Sequence, residues 1–369
     1  MTHSRRARRG LALAALLIPA LMLLAPREAA AEPYLAVQNG YKCVVCHVNP
    51  TGGGLRSNFG VIFSENLMPA HRVPDALSAW TGQIASFLRL GGDLRASDTR
   101  SDVPGSPAQD QHQLDQLRLY ADVALIPQRL GIYVDEKVAP GDRQEFEGYI
   151  RLNDASHGWY IKAGKFYLPF GWRLQDQTAF VRELSGINMT TPDTGAELGI
   201  ETGNWSAQLD YSNDINNASA LSRHQLTAQV VWVQPRYRVG LANSEVSATT
   251  GNRSSTGMFA GLRTGPVAWL GELDLVHDDG FSVAPRSMLA ALGELDWALR
   301  RGQNLKLTAE IEDPDRHVAQ DQFTRWSAVY EFTPIAFVQL RAGVRRYRGI
   351  PQNDFENRQT FFVELHGYL

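Results

Sequence analysis

The feature that most constrains this chain is a period of two. From about residue 83 to the C-terminus, segment after segment places apolar residues on one parity and polar or charged residues on the other. Leu117, Leu119, Ala121, Val123 and Leu125 alternate with Arg118, Tyr120 and Asp122, and Leu305, Leu307, Ala309 and Ile311 alternate with Lys306, Thr308, Glu310 and Glu312. Leu289, Ala291, Gly293, Leu295, Trp297 and Leu299 share a face opposite Glu294, Asp296 and Arg300. This period belongs to strands. The segments run to about nine to eleven residues, the length of a tilted strand crossing a bilayer. One parity carries no charge at all. A soluble sandwich has no need of that, because its outer face is wet, whereas a charge facing lipid at the midplane costs about 2 to 4 kcal/mol.

The pattern therefore predicts an all-β, transmembrane, antiparallel up-and-down barrel with its apolar parity outside and its polar parity in the lumen. On that reading, lone charges such as Asp274 and Lys306 line the lumen and are not catalytic. Sixteen segments can be laid out, the first near 83–96 and the last near 357–369, an even number as bacterial barrels require. Long connections, among them the stretch from Pro169 to Thr194, alternate with short ones such as TGN, QPR and RTGP. Long extracellular loops against short periplasmic turns put both ends of the barrel in the periplasm. Trp80, Trp159, Tyr160, Trp232, Trp269 and Trp326 fall near strand ends, where an interfacial girdle belongs. Phe361, Val363, Leu365, Gly367 and Leu369 share one face of the last strand, resembling the terminal strand of outer-membrane proteins.

The N-terminus gives the compartment. Arg5, Arg6, Arg8 and Arg9 precede the apolar run LALAALLIPALMLLA, and Ala29, Ala30 and Ala31 supply the small residues of a cleavage site, so residues 1–31 read as a signal peptide and the mature chain as starting at Glu32. Its removal moves the formal net charge from −3 to −7, and an acidic chain without a basic run argues against nucleic acid as a partner. The expected destination is the bacterial outer membrane, with its lipid as the first partner.

Residues 32–82 lie between leader and barrel, and 83–369 form the barrel. The shorter segment holds both cysteines of the chain, in KCVVCHVNPTGGG. Cys43, Cys46 and His47 form C-x-x-C-H, the attachment pattern of a c-type haem: each thiol adds to a vinyl group and the histidine becomes the proximal iron ligand. Export supplies the compartment this needs. Zinc would want four ligands, and no second cysteine pair exists; a redox disulfide would sit beside a βαβ pattern, and none is present. Gly52, Gly53 and Gly54 lack the Lys-Ser/Thr of a phosphate loop and are read as a tight turn at the haem edge. Met68 and His71, in SENLMPAHR, are the alternatives for the distal ligand. Methionine would raise the potential and histidine would lower it. His112, His277 and His317 are placed in extracellular loops, and His366 in the lumen near the periplasmic end.

One haem-attachment motif ahead of a sixteen-stranded barrel resembles the fused outer-membrane cytochrome–porins of iron-oxidising bacteria. That resemblance covers the mature chain in architecture, with Cys43-Val44-Val45-Cys46-His47 as its specific motif. It implies a small haem-binding plug folded within the barrel and an electron path between the exterior, with Fe²⁺ as a donor, and a periplasmic c-type cytochrome. It implies an electron carrier before an enzyme, with iron oxidase as the enzymatic form. Arg89, Asp93, Arg95, Arg118, Asp122, Glu147, Arg151, Arg341 and Arg345 are lumen charges expected to meet the haem propionates or fix the plug. Two other readings stand beside this one: a diffusion porin with a haem domain outside the barrel, its Pro169–Thr194 segment folded inward as a constriction, and a barrel sleeve for a separate multihaem cytochrome. Acidic loop residues Asp98, Asp102, Asp110, Asp278, Asp279, Asp313, Asp315, Asp354 and Glu356 read as solvated, with divalent-cation capture as the sharper alternative.

Overall fold

The computed structural model describes residues 32–72, 80–213, 223–281 and 284–369. The leader expected over 1–31 lies outside the described residues. A three-residue strand, β1 (Gln83–Ala85), folds back on the first barrel strand. The wall then runs β2 (Leu88–Asp102), β3 (Gln109–Ile126), β4 (Leu130–Ala139), β5 (Gln144–Asp154), β6 (Trp159–Phe166), β7 (Asp193–Thr202), β8 (Trp205–Ser212) and β9 (Arg223–Val233). It continues as β10 (Tyr237–Ala248), β11 (Gly251–Thr264), β12 (Val267–Asp279), β13 (Arg286–Arg300), β14 (Gln303–Asp313), β15 (Phe323–Ile335), β16 (Val338–Arg348) and β17 (Gln359–Tyr368). Each strand pairs antiparallel with the next, and β17 closes on β2 from Gln359↔Asp102 to Tyr368↔Asp93. The sixteen expected barrel strands are all present. The first starts at Leu88 and not at 83, and several run past their expected outer ends. β2 and β3 stay paired out to Ser101↔Gln109, which puts His112 on a strand; His277 likewise lies on β12.

The apolar parity faces outward. Leu119, Leu198, Leu209, Leu241, Leu307 and Val363 are exposed in mid-strand, while Arg118, Lys162, Glu197, Asp210, Lys306 and Glu331 on the other parity are buried. Trp269 and Trp326 are exposed as a girdle requires, but Tyr160 points into the lumen and donates its hydroxyl to Glu197 at 2.7 Å. One expectation about the wall is corrected. The lumen face is mixed along β12 and β13: Ala268, Leu270, Val276, Met288, Ala290 and Leu292 are buried there beside Glu272, Asp274, Glu294 and Asp296. Apolar residues interrupt the polar parity there because the lumen is packed at that side.

What packs it is the Pro169–Thr194 segment, which turns inward. Its helix Phe180–Ser185 brings Ala179, Phe180, Val181 and Leu184 against those residues. Polar clamps fix the fold-in. Arg182, 1 % exposed, pairs with Glu272 and lies 3.6 Å from Asp274. The Phe180 N–H donates to Glu310 at 2.8 Å, and Asp176 meets Arg325 at 3.0 Å and Arg345 at 2.9 Å. Buried charges paired like this are costly to break from one side, by about 3 to 5 kcal/mol.

Residues 32–72 enter the lumen from the end with the short turns. Lys42 donates to the Trp205 carbonyl at 2.6 Å, Arg301 to that of Pro69 at 2.8 Å, and the Ala70 N–H to that of Thr333 at 2.8 Å. Gly40, at φ +68°, passes so near Pro235 that a Cβ would sit 2.7 Å from its Cα, so the plug touches the turn backbone directly. This helical region is inside the barrel, not appended outside it.

Candidate cofactor site in the periplasmic half of the lumen

The CVVC stretch is a single helical turn, Cys43–Cys46, so the two thiols at i and i+3 share a side. Both cysteines are free. The His47 N–H closes the turn on the Cys43 carbonyl at 3.0 Å, and His47 is already extended (φ −121°, ψ 150°), so its ring leaves the helix on its own course. The chain then loops through Gly52, Gly53 and Gly54, at φ +88°, +72° and +59°, and returns as Arg56 bridges to His47. A Cβ on Gly52 would stand 3.4 Å from the Cys43 sulfur, and one on Gly54 would collide with the Tyr133 hydroxyl. These glycines let backbone run between the thiol and the barrel wall.

The loop is pinned to the wall. Asn49 donates to Glu147 at 2.8 Å, and the Leu55 N–H donates to the Tyr133 hydroxyl at 3.1 Å. Ser57 caps the helix Asn58–Asn66, accepting from the Gly60 N–H at 3.1 Å, while its own N–H donates to the Cys46 carbonyl at 2.9 Å. Gly60 presses against that carbonyl so closely that any side chain would overlap it. The cap thus locks the second helix onto the cysteine turn.

Around this turn lies a cavity of about 110 Å³. Cys43, Cys46, His47 and Met68 all border it, with Phe63, Trp172, Val231, Val233 and Phe259 as apolar walls. His71 does not border it. That residue is exposed, and its N–H donates to the Pro334 carbonyl at 3.0 Å.

The electrostatics fit a metal-bound group. Burial, helped by the positive charges of Arg56 and Arg173, pulls the His47 imidazole down to about 3, so it is neutral and has a lone pair to give. Its Nδ1 is buried without a hydrogen-bond partner. Burial pushes the Cys46 thiol up to about 11 and raises Cys43 too, with Arg238 pulling against it. Arg238 is distinctive. Arg118, Arg173, Arg182, Arg325 and Arg341, all buried in the lumen, each pair with a carboxylate. Arg238, 4 % exposed and on the cavity wall, is held by the Ala36 carbonyl at 3.0 Å, the Tyr41 carbonyl and the Trp172 ring, with no carboxylate partner among the described residues.

Sequence reasoning missed Arg238, Arg173, Trp172 and Phe259 as cavity residues. Arg173 and Trp172 sit on the inward segment, and nothing local marks that segment as part of the wall. The lumen charges expected to meet the cofactor are elsewhere. Arg95 pairs with Asp93 at 3.0 Å, Arg118 with Asp135, Arg341 with Glu364 at 3.0 Å and Arg345 with Asp176. Arg151 reaches the Val48 carbonyl, and Arg89 donates to Asn58 at 2.7 Å, so these two hold the plug. His366 is buried against Asp93 and Gln339, both at 3.2 Å, away from the cavity. The acidic loop residues gather no group of three or more potential metal ligands among the described residues; Asp98 meets His112 at 3.1 Å and Asp315 meets His317 at 3.0 Å.

Beyond the glycine loop lies a second space of about 350 Å³, a polar vestibule lined by Asp93, Arg95, Gln116, Arg118, Lys137, Arg341, Arg345 and Glu364. Gly53 and Arg173 border both spaces. They form a thin wall between the polar vestibule and the cysteine cavity.

No protein-family model matches the sequence, and no curated protein does. Solved structures do. The chain superposes on an anion-selective porin from Comamonas acidovorans with a TM-score of 0.60 at 10% identity, over 76% of this chain and 98% of that one. It superposes on OprB of Pseudomonas putida with a TM-score of 0.61 at 8% identity, over 82% and 99%. For a loop-deletion mutant of OmpT from Vibrio cholerae the TM-score is 0.59 at 10% identity, over 76% and 99%. The fold is that of outer-membrane porins, and with its apolar outer belt this is an outer-membrane barrel.

Proposed function

We propose that this outer-membrane barrel carries one covalently attached c-type haem in the periplasmic half of its lumen and relays electrons between the exterior and the periplasm. Cys43 and Cys46 would form the thioethers, neutral His47 would be the proximal iron ligand, and Met68 the distal one. The observation that carries this reading is that these four residues wall one cavity inside the barrel. When bound, haem would supply a one-electron carrier whose potential follows its axial ligands and burial. The protein's part is positioning: the Cys43–Cys46 turn orients both thiols, the glycine loop leaves room beside them, and the aromatic and valine walls keep bulk water from the site. Arg238 sets a positive charge on the wall.

Extracellular Fe²⁺ or another small redox partner would approach through the vestibule, where Gly53 and Arg173 are the last barrier. A periplasmic c-type cytochrome would meet the plug from the other end. Iron oxidation is then the enzymatic description of the same relay. The diffusion-porin reading draws on the porin fold and on the inward Pro169–Thr194 segment that it expects as a constriction, but residues 32–72 also occupy the path a solute would take. The separate-cytochrome sleeve has the same difficulty, since the lumen already holds a segment of the chain itself.

Reconstitution in vesicles separates these. With a reductant enclosed and a ferric acceptor outside, haem-dependent reduction of the acceptor is expected, with little conductance in planar bilayers. A haem that no donor reduces from either side would overturn the relay, and porin-scale conductance would favour diffusion.

A further inference from the structure

Glu32, the residue at which the mature chain is expected to begin, is 5 % exposed and sits in the lumen. Its carboxylate meets Lys306 at 2.8 Å. Three more carboxylates surround the same ammonium: Glu294 at 3.5 Å, Asp296 at 3.8 Å and Glu331 at 3.9 Å. Four acids therefore share Lys306, and among the described residues the one further cation at the cluster is Arg341, 3.4 Å from Glu331 and itself shared with Glu364. Neutral donors add a little: Asn304 reaches Asp296 at 3.0 Å and Glu331 at 2.9 Å, and the Tyr34 hydroxyl reaches Glu331 at 3.2 Å. Asp296, 1 % exposed, still has an Oδ2 without a hydrogen-bond partner. A buried cluster with this excess of negative charge is short of a cation.

Leader removal supplies one. Water adds across the Ala31–Glu32 peptide bond under a leader peptidase, leaving a carboxylate on Ala31 and an ammonium on Glu32. Covalent geometry keeps that ammonium near the Glu32 side chain, which is already inside the cluster. We propose that the cluster of Glu294, Asp296 and Glu331 is the docking site of the protein's own N-terminal ammonium, so that processing at Ala31–Glu32 completes the ion-pair network seating the plug. The uncut chain lacks this charge, since an amide nitrogen stands where the ammonium would be. This proposal is independent of the haem.

The test uses the wild-type protein extracted from outer membranes. Intact mass and N-terminal sequencing should give Glu32 as the first residue. An amine-acylating reagent should label that α-amine at least tenfold more slowly in the folded barrel than in the urea-unfolded chain. The Glu294→Gln, Asp296→Asn double variant should lose much of this protection, and a processed chain with two alanines ahead of Glu32 should show faster proteolysis within residues 33–72. A mature chain starting elsewhere, or an α-amine labelled equally fast in the folded and unfolded protein, would overturn the proposal.

Discussion

The two halves of the lumen differ in how their chemistry is closed. Around the polar vestibule the charges pair with one another: Asp93 with Arg95 and His366, Arg118 with Asp135, Asp176 with Arg325 and Arg345, Glu364 with Arg341. In the cysteine cavity Arg173 pairs with Glu147 and Lys42 with Glu201, but other groups are left over. Arg238 has no carboxylate partner among the described residues, His47 Nδ1 has no hydrogen-bond partner, and two free thiols face the space. Buried polar groups are normally satisfied. A half that closes on itself is structural, and a half left open is shaped around something else.

Substitutions in the two halves should therefore give different readouts. The largest effect is expected from His47→Ala, which removes the proximal ligand: the low-spin haem spectrum of the extracted protein should be lost while the barrel still migrates as folded on unheated gels. In the closed half, Arg118→Met strands buried Asp135 and should cost about 3 to 5 kcal/mol of stability, read by thermal unfolding in detergent, with an unchanged haem spectrum. If it altered the spectrum instead, the division between halves would fail. Met68→Ala should lower the midpoint potential by part of the ~0.8 V span that axial ligands command, whereas His71→Ala should leave it in place; the reverse would assign His71 as ligand. Arg238→Gln removes a positive charge that disfavours the ferric form. It should shift the ferric-to-ferrous ratio about tenfold toward ferric at a fixed potential, or ~59 mV for one electron, and Arg238→Lys should restore most of it in a redox titration.

The outer surface and the lumen were legible in the sequence to different degrees, for a physical reason. Lipid imposes one rule on every strand, so parity alone located sixteen strands, their pairing order and the outward faces of Leu119, Leu307 and Val363. The lumen answers to contacts far apart in sequence. Glu147 serves Asn49 and Arg173, and Glu272 serves Arg182 and the Trp172 N–H, pairings that no window of residues around either glutamate reveals. The same holds for Met288, Ala290 and Leu292, whose burial depends on an inward segment about a hundred residues earlier. Cys43, Cys46 and His47 could be read because attachment chemistry demands them at fixed spacing. Arg238 could not, since an arginine on a polar parity looks like every other lumen arginine until its missing partner is seen.

The central claim is that the open half of the lumen holds a covalent haem. A haem-stained denaturing gel of outer-membrane fractions, from a host able to attach c-type haem, tests it directly. The wild-type band should stain, and Cys43→Ser should remain in the outer membrane with its staining lost. An unstained wild-type band, or equal staining in Cys43→Ser, would contradict the account.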